Sequence, residues 1–476
     1  MARARFQILD RDEEELVHAK SIESLENIGV LIRSSSVLGM LKESGAEVDP
    51  RTGIAKFSEG MVNEALERAP KSFTLGARER KNDIALPVDG FPKISTDGLT
   101  LYMIDPKTGE RRNATRKDLA DFAKLADALD PVEFFWPIVT ATDVMEAAHS
   151  SHEMWTSLIS CTKHIQGDVL SREDALTQIK LGALVAGGDE ELRKRPLFSA
   201  VNCPIAPLSF EKGAVEAQVE FAKAGVPTLS MSMSLSGMSS PVTFAGTVVN
   251  ANTENLASLV ITESAQPGAP HIFSSESAPI DMLTGNMNYS APEMLPISAA
   301  MGQMSKRYNR PCMTGTWGMS GNTRPGMKGS FCETVSTSYT MFCNTDLGTG
   351  MGGLDDAKGC AFEQLVIDAM VWDDFRAFFR QFKVDEESCA LDVVKEVGQG
   401  NSFLTHPHTA KNFKKELHFW DKNRLAWQAT LSDRMVPEAK EMALHLLEQH
   451  VVTPVDPDIV KQGDVILKEY ERSLIA

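Results

Sequence analysis

The residues that follow the candidate strands of this chain decide what chemistry it can offer. Thr140 and Asp143 come after the first strand, Gly167 and Asp168 after the second, and Asn202 after the third. Ser232, Met233 and Ser234 follow the fourth, Glu276 the fifth, Trp317 the sixth, and Asn344 with Asp346 the seventh. No lysine stands among them, which weighs against Schiff-base chemistry. A GxSxG elbow, a Walker loop and an HExxH pair are all missing. Around the later strand ends lie the aromatics Trp317, Phe331, Tyr339, Phe342 and Phe362, with Glu333, Asp346, Asp355, Asp356 and Glu363 nearby. Aromatic faces joined by a few carboxylates suit a quaternary ammonium. That cation cannot donate an N–H hydrogen bond, and each π-face it touches is worth about 0.5–2 kcal/mol when desolvated. The run Gly348-Thr-Gly-Met-Gly-Gly353 lacks the lysine and Ser/Thr of a phosphate loop. It reads as a close-approach surface for a bulky flat partner, where missing side chains bare the backbone. A zinc reading is also open: His406-Pro-His408 is a spaced pair, and Cys312, Cys332, Cys343 and Cys360 cluster in sequence.

The elements that must position these groups repeat one pattern: an amphipathic helix, a stop, a proline, then a β-rich run. In the clearest copy Ser209 offers a cap, Val215, Val219 and Ala222 form a stripe, and Gly225 ends the helix before Pro227. Asp130-Pro131, Gly268-Ala-Pro270 and Asn309-Arg-Pro311 close similar passages. Long helices alternating with short strands predict parallel βα units, which most often close into a barrel whose site gathers at the strand C-termini. Strands are expected at 134–140, 164–170, 198–203, 227–233, 271–275, 312–316 and 341–346. The eighth is expected in the N-terminal part or near Ser402–Leu404. The fold class is thus α/β, a (βα)8 TIM-like barrel over residues 116–410. An N-terminal helical and β-hairpin layer (1–115, with Asp97-Gly98 as a turn) and a charged helical tail (411–476) are added to it.

At 476 residues and 42% hydrophobic the chain can bury a large core. A net charge of −17 argues against nucleic acid or anionic membranes and suits a cationic ligand or a basic partner. No stretch approaches the roughly 18 apolar residues of a membrane span, and no signal peptide is visible. Seven cysteines without a CxxC fit a reduced, cytoplasmic setting.

Several segments together carry a family resemblance. Arg310-Pro-Cys-Met-Thr-Gly-Thr-Trp-Gly-Met-Ser-Gly, Glu333-Thr-Val-Ser-Thr-Ser, Leu347-Gly-Thr-Gly-Met-Gly-Gly-Leu, Phe362-Glu-Gln-Leu-Val-Ile-Asp-Ala and Ser402-Phe-Leu-Thr-His-Pro-His-Thr-Ala-Lys-Asn-Phe succeed one another in this order. Their order and spacing resemble the trimethylamine methyltransferase family over nearly the whole chain. The resemblance implies a barrel that moves a methyl group from a methylated amine to the Co(I) of a corrinoid. A separate corrinoid protein docks at the barrel mouth to present it, so no tightly bound cofactor or metal of the chain's own is implied. Founding members use pyrrolysine near the segment matching Leu347–Leu354, where this chain has ordinary residues. Members without pyrrolysine resemble quaternary amine enzymes, with glycine betaine the best-known substrate. On that reading Trp317, Phe342 and Tyr339 cage the cation, with Asp346 and Glu276 as the catalytic carboxylates that support it electrostatically. Asn202, Gln303, His406 and His408 are candidates for a betaine carboxylate, and Gly348, Gly350, Gly352 and Gly353 for the corrinoid face. The resemblance also favours a homo-oligomer. Two other readings fit the same residues: a zinc-dependent thiol or amine methyltransferase, and a non-catalytic quaternary amine binder.

Overall fold

A computed structural model describes residues 7–287, 289, 291–316, 321–326, 345–378, 382–417 and 434–475. Its centre is a closed barrel of eight parallel strands. In chain order these are β1 (Lys93–Thr96), β2 (Phe134–Phe135), β3 (His164–Gly167), β4 (Phe198–Asn202), β5 (Thr228–Ser232), β6 (His271–Ser275), β7 (Cys312–Thr316) and β8 (Leu347–Met351). Each strand pairs with the next, and β8 closes on β1. Helices α1 (Arg116–Ala128), α2 (His149–Ser160), α3 (Arg172–Ala186), α4 (Lys212–Ala224), α5 (Phe244–Ala265) and α6 (Met294–Arg307) follow the strands of the same number, and α7 (Phe362–Phe378) follows β8.

Local chemistry sets the boundaries. Thr115 and Asp118 form a reciprocal capping box that starts α1, while Ser171 and Thr243 cap α3 and α5. Gly225, at φ +76°, ends α4 in the left-handed region that glycine enters without penalty. The chain then turns through Pro227 into β5.

Two strand expectations change. The glycine-rich run is itself a strand, β8, so the strand placed at 341–346 is displaced; residues 341–344 lie outside the described residues. The eighth strand comes from the N-terminal part, as β1, which precedes the boundary drawn at 115. Asp97-Gly98 is therefore not a hairpin turn: β1 pairs with β8 and β2, and Asp97 lies just past its C-terminal end.

The barrel interior is apolar at its base. Phe134, Val201, Leu229, Met231, Ile272, Met313 and Leu347 pack there against an antiparallel hairpin, Phe73–Leu75 with Ile84–Leu86, that plugs the bottom. The N-terminal helices pack on α5, and the C-terminal helix Pro457–Ile475 lies on α2 and α3. Arg310, 1% exposed, donates to the carbonyls of Leu66, Ala69 and Pro70 and so ties the end of helix Glu59–Arg68 to the start of β7.

Candidate active site at the barrel mouth

Side chains alternate in and out along a strand, and the packing fixes the phase. Ile94, Phe135, Ile165 and Phe273 face the outer helices, whereas Phe134, Val201, Leu229, Met231 and Ile272 face the interior. The first residue beyond each of β1 to β6 is therefore inward-facing: Asp97, Trp136, Asp168, Cys203, Met233 and Glu276. Six strands thus deliver three carboxylates, an indole, a thiol and a thioether to one opening.

Glu276 is 3% exposed, and among the described residues its Oε1 has no hydrogen-bond partner. Burial, then the neighbouring carboxylates Asp97 and Asp168, push its carboxyl up to about 8. Asp168, half-buried, is pushed up to about 7, chiefly by burial; a 2.6 Å hydrogen bond donated by Trp136 Nε1 works the other way. Gln178 Nε2 donates to the Asp168 carbonyl and holds that loop. Tyr289, in the loop after β6, is buried, and its hydroxyl is pushed up by burial and then by Glu276 and Asp97. Two glycines make this packing possible. A Cβ on Gly98 would stand 2.5 Å from the Trp136 ring, and one on Gly353 would overlap Asp97 Oδ2. Among the described residues no three His, Cys, Asp or Glu side chains are placed to hold one metal ion.

Of the two carboxylates expected to be catalytic, only Glu276 reaches the mouth. Asp346 precedes β8 and so sits at the base of the barrel. There it is buried, paired with Lys306, and accepts hydrogen bonds from Val88 N and Cys312 N. Three of the four expected carboxylate partners are engaged by other groups. Asn202 is the last residue of β4 and points outward, donating to Gln218 on α4. Gln303 lies on α6 and binds the backbone of Ile8 and Leu9 and the side chain of Glu14. His406 caps helix Pro407–Glu416 and meets Glu396 at 3.1 Å; His408 lies in that helix's first turn. The glycines do not bare a surface: Gly348, Gly350, Gly352 and Gly353 are buried, Gly348 against Ile94 and Gly352 against Ile138 and Leu365. Trp317, Tyr339 and Phe342 lie outside the described residues, as do Cys332 and Cys343. Sequence reading had Asp168 and Glu276 at strand ends. Asp97 and Trp136 are hidden in the sequence because Asp97-Gly98 reads locally as a turn and the strand beginning at Phe134 ends at Phe135, short of the expected 140. Counting one residue past each strand was the available signal.

The family model described as Trimethylamine methyltransferase (MTTB) matches residues 2–470. The chain belongs to the trimethylamine methyltransferase family. A trimethylamine methyltransferase MttB of Desulfitobacterium hafniense is 29% identical over 98% of this chain and 95% of its own length. The MttB of Methanosarcina barkeri is also 29% identical, over 97% and 94%. A glycine betaine methyltransferase of D. hafniense is 25% identical over 96% and 95%. The monomethylamine methyltransferase MtmB of M. barkeri has a solved structure that aligns over 93% of both chains, at 11% identity and a TM-score of 0.48. Membership of this family makes the chain a methyltransferase, and no described helix is long and apolar enough to cross a membrane.

Proposed function

We propose that the enzyme transfers a methyl group from a quaternary amine to the Co(I) corrinoid of a separate protein. The observation that carries the reading is the set of inward-facing carboxylates, Asp97, Asp168 and Glu276, beside Trp136 and Tyr289. A quaternary ammonium has no N–H to share, so charge and π-faces are what can hold it. Its full charge also makes a neutral tertiary amine the leaving group, so no covalent activation by the protein is needed. The corrinoid supplies the nucleophile: the N–CH₃ bond breaks with its electron pair staying on nitrogen, and the methyl passes to Co(I). The chain's own residues fix the cation, aim one methyl outward and exclude water.

The rim supports a protein partner at the same opening. Leu101, Ile205, Met238, Met282 and Leu283 are exposed on the loops after β1, β4, β5 and β6, with Leu283 96% exposed. A protein docking at the opening would cover these apolar side chains. The relative named for glycine betaine supports a quaternary amine as the donor class. A reduced, cytoplasmic setting fits the free cysteines among the described residues.

Anaerobic incubation with a Co(I) corrinoid and a panel of methylated amines tests the reading. Loss of the Co(I) absorbance with a quaternary amine and not with trimethylamine supports it. A constant absorbance with every amine, with the native corrinoid protein also supplied, refutes it and leaves a binder.

A further inference from the structure

The mouth's charge bears on which quaternary amine it takes, a question that rests on the function proposed above. A betaine brings its own carboxylate a few bonds from the ammonium, and that group needs donors. The mouth instead directs carboxylates inward from three separate strand ends, those of β1, β3 and β6. Glu276 adds a second observation: it is almost wholly buried, and its inward Oε1 has no partner among the described residues. An acceptor held without a donor in a cleft is costly unless a ligand satisfies it. Among the described residues, the groups that act on Glu276 besides burial are both acidic. Asn202 and Gln303, which could have served a carboxylate, spend their amides on Gln218 and on the N-terminal segment instead.

We infer that the mouth selects quaternary ammonium donors that carry no carboxylate, of the choline or tetraalkylammonium class, and disfavours zwitterionic betaines. Asp97, Asp168 and Glu276 are the specificity-determining residues. A monocation relieves the mutual repulsion of the three carboxylates. A zwitterion brings no net charge to relieve it and adds a fourth carboxylate.

The test is calorimetric titration of the full chain with choline, tetramethylammonium and glycine betaine, each at pH 6 and pH 9. Methyl transfer to cob(I)alamin is measured alongside for the same three donors. Tyr289 and Cys203 are the other titratable groups beside Glu276, and His149, Glu153 and Asp174 stand near Asp168. With these groups present, the expected result is at least tenfold tighter binding of the two cations than of the betaine at pH 9. Their affinity should rise between pH 6 and pH 9 as the carboxyls ionise, and Glu276→Gln should flatten that rise. The wild-type pH series stands alone if the variant does not fold. Equal or tighter binding of glycine betaine overturns the inference. If betaine also methylates cobalt while choline is inert, the inference falls and the methyltransferase reading stands. If no amine binds or donates a methyl, both fall together.

Discussion

Glu276→Gln should stabilise the free protein and weaken its hold on a cation, a combination expected of a functional group and not of a structural one. The unfolded chain releases the Glu276 proton near the ordinary value of 4.5, whereas the folded chain keeps it until about pH 8. Between those values folding takes up a proton, so this group's contribution to stability falls as the pH rises from about 4.5 to about 8. The interval corresponds to at most ~5 kcal/mol. Single substitutions seldom exceed about 3 kcal/mol, so a gain of roughly 2 kcal/mol is expected above pH 8. Glutamine keeps the shape and removes the charge, so the gain should be near zero at pH 4.5. In a chain of this length that is a rise of roughly 2–3 °C in melting temperature at pH 8.5, read by scanning calorimetry at both pH values. The cost appears in binding. A carboxylate about 5 Å from an ammonium in a half-open mouth is worth about 3 kcal/mol at an effective dielectric constant near 20. A tenfold to hundredfold loss of affinity for a quaternary ammonium should result. A variant less stable than the wild type at pH 8.5, or one with unchanged affinity, refutes the argument.

Other substitutions separate site from scaffold. Asp346→Asn removes the charge that meets Lys306 at the barrel base and should cost roughly 2–3 kcal/mol in urea unfolding, with substrate affinity unchanged in the folded fraction. Gly353→Ala crowds Asp97 Oδ2 and should weaken cation binding several-fold; little change would remove Asp97 from the site. Trp136→Phe deletes the donor to Asp168, and the Asp168 carboxyl should titrate above its present value near 7, as followed by NMR. Arg310→Lys loses the fork that collects three carbonyls and should destabilise the protein by roughly 2–3 kcal/mol in the same unfolding assay.

The barrel was readable because its helices announce their ends, as at Thr115 with Asp118 and at Gly225 before Pro227. Four strands follow such stops directly, after Asp130-Pro131, Gly225-Val-Pro227, Gly268-Ala-Pro270 and Asn309-Arg-Pro311. β8 was obscure because glycines, which carry no side chain to show alternation, make up two of its five residues. β1 was obscure because Asp97-Gly98 reads locally as a turn; only pairing with β8 and β2, far away in sequence, makes Lys93–Thr96 a barrel strand. Displacing β8 by a few residues moved Asp346 from the apparent mouth to the base. Asn202 failed differently: the strand end was right, but the phase was wrong by one residue, so its amide meets Gln218 on α4 instead of the opening. Glu276 falls just past a strand end in both sequence and structure because β6 has the expected bounds, 271–275.

The most direct test of the central claim follows the methyl carbon itself. A quaternary amine labelled with ¹³C in its N-methyl groups is mixed anaerobically with the enzyme, the corrinoid protein and stoichiometric Co(I), and observed by NMR. The account predicts that one labelled methyl leaves nitrogen and appears on cobalt, with an equal amount of tertiary amine formed. Label that stays entirely on nitrogen while the amine is bound would contradict it.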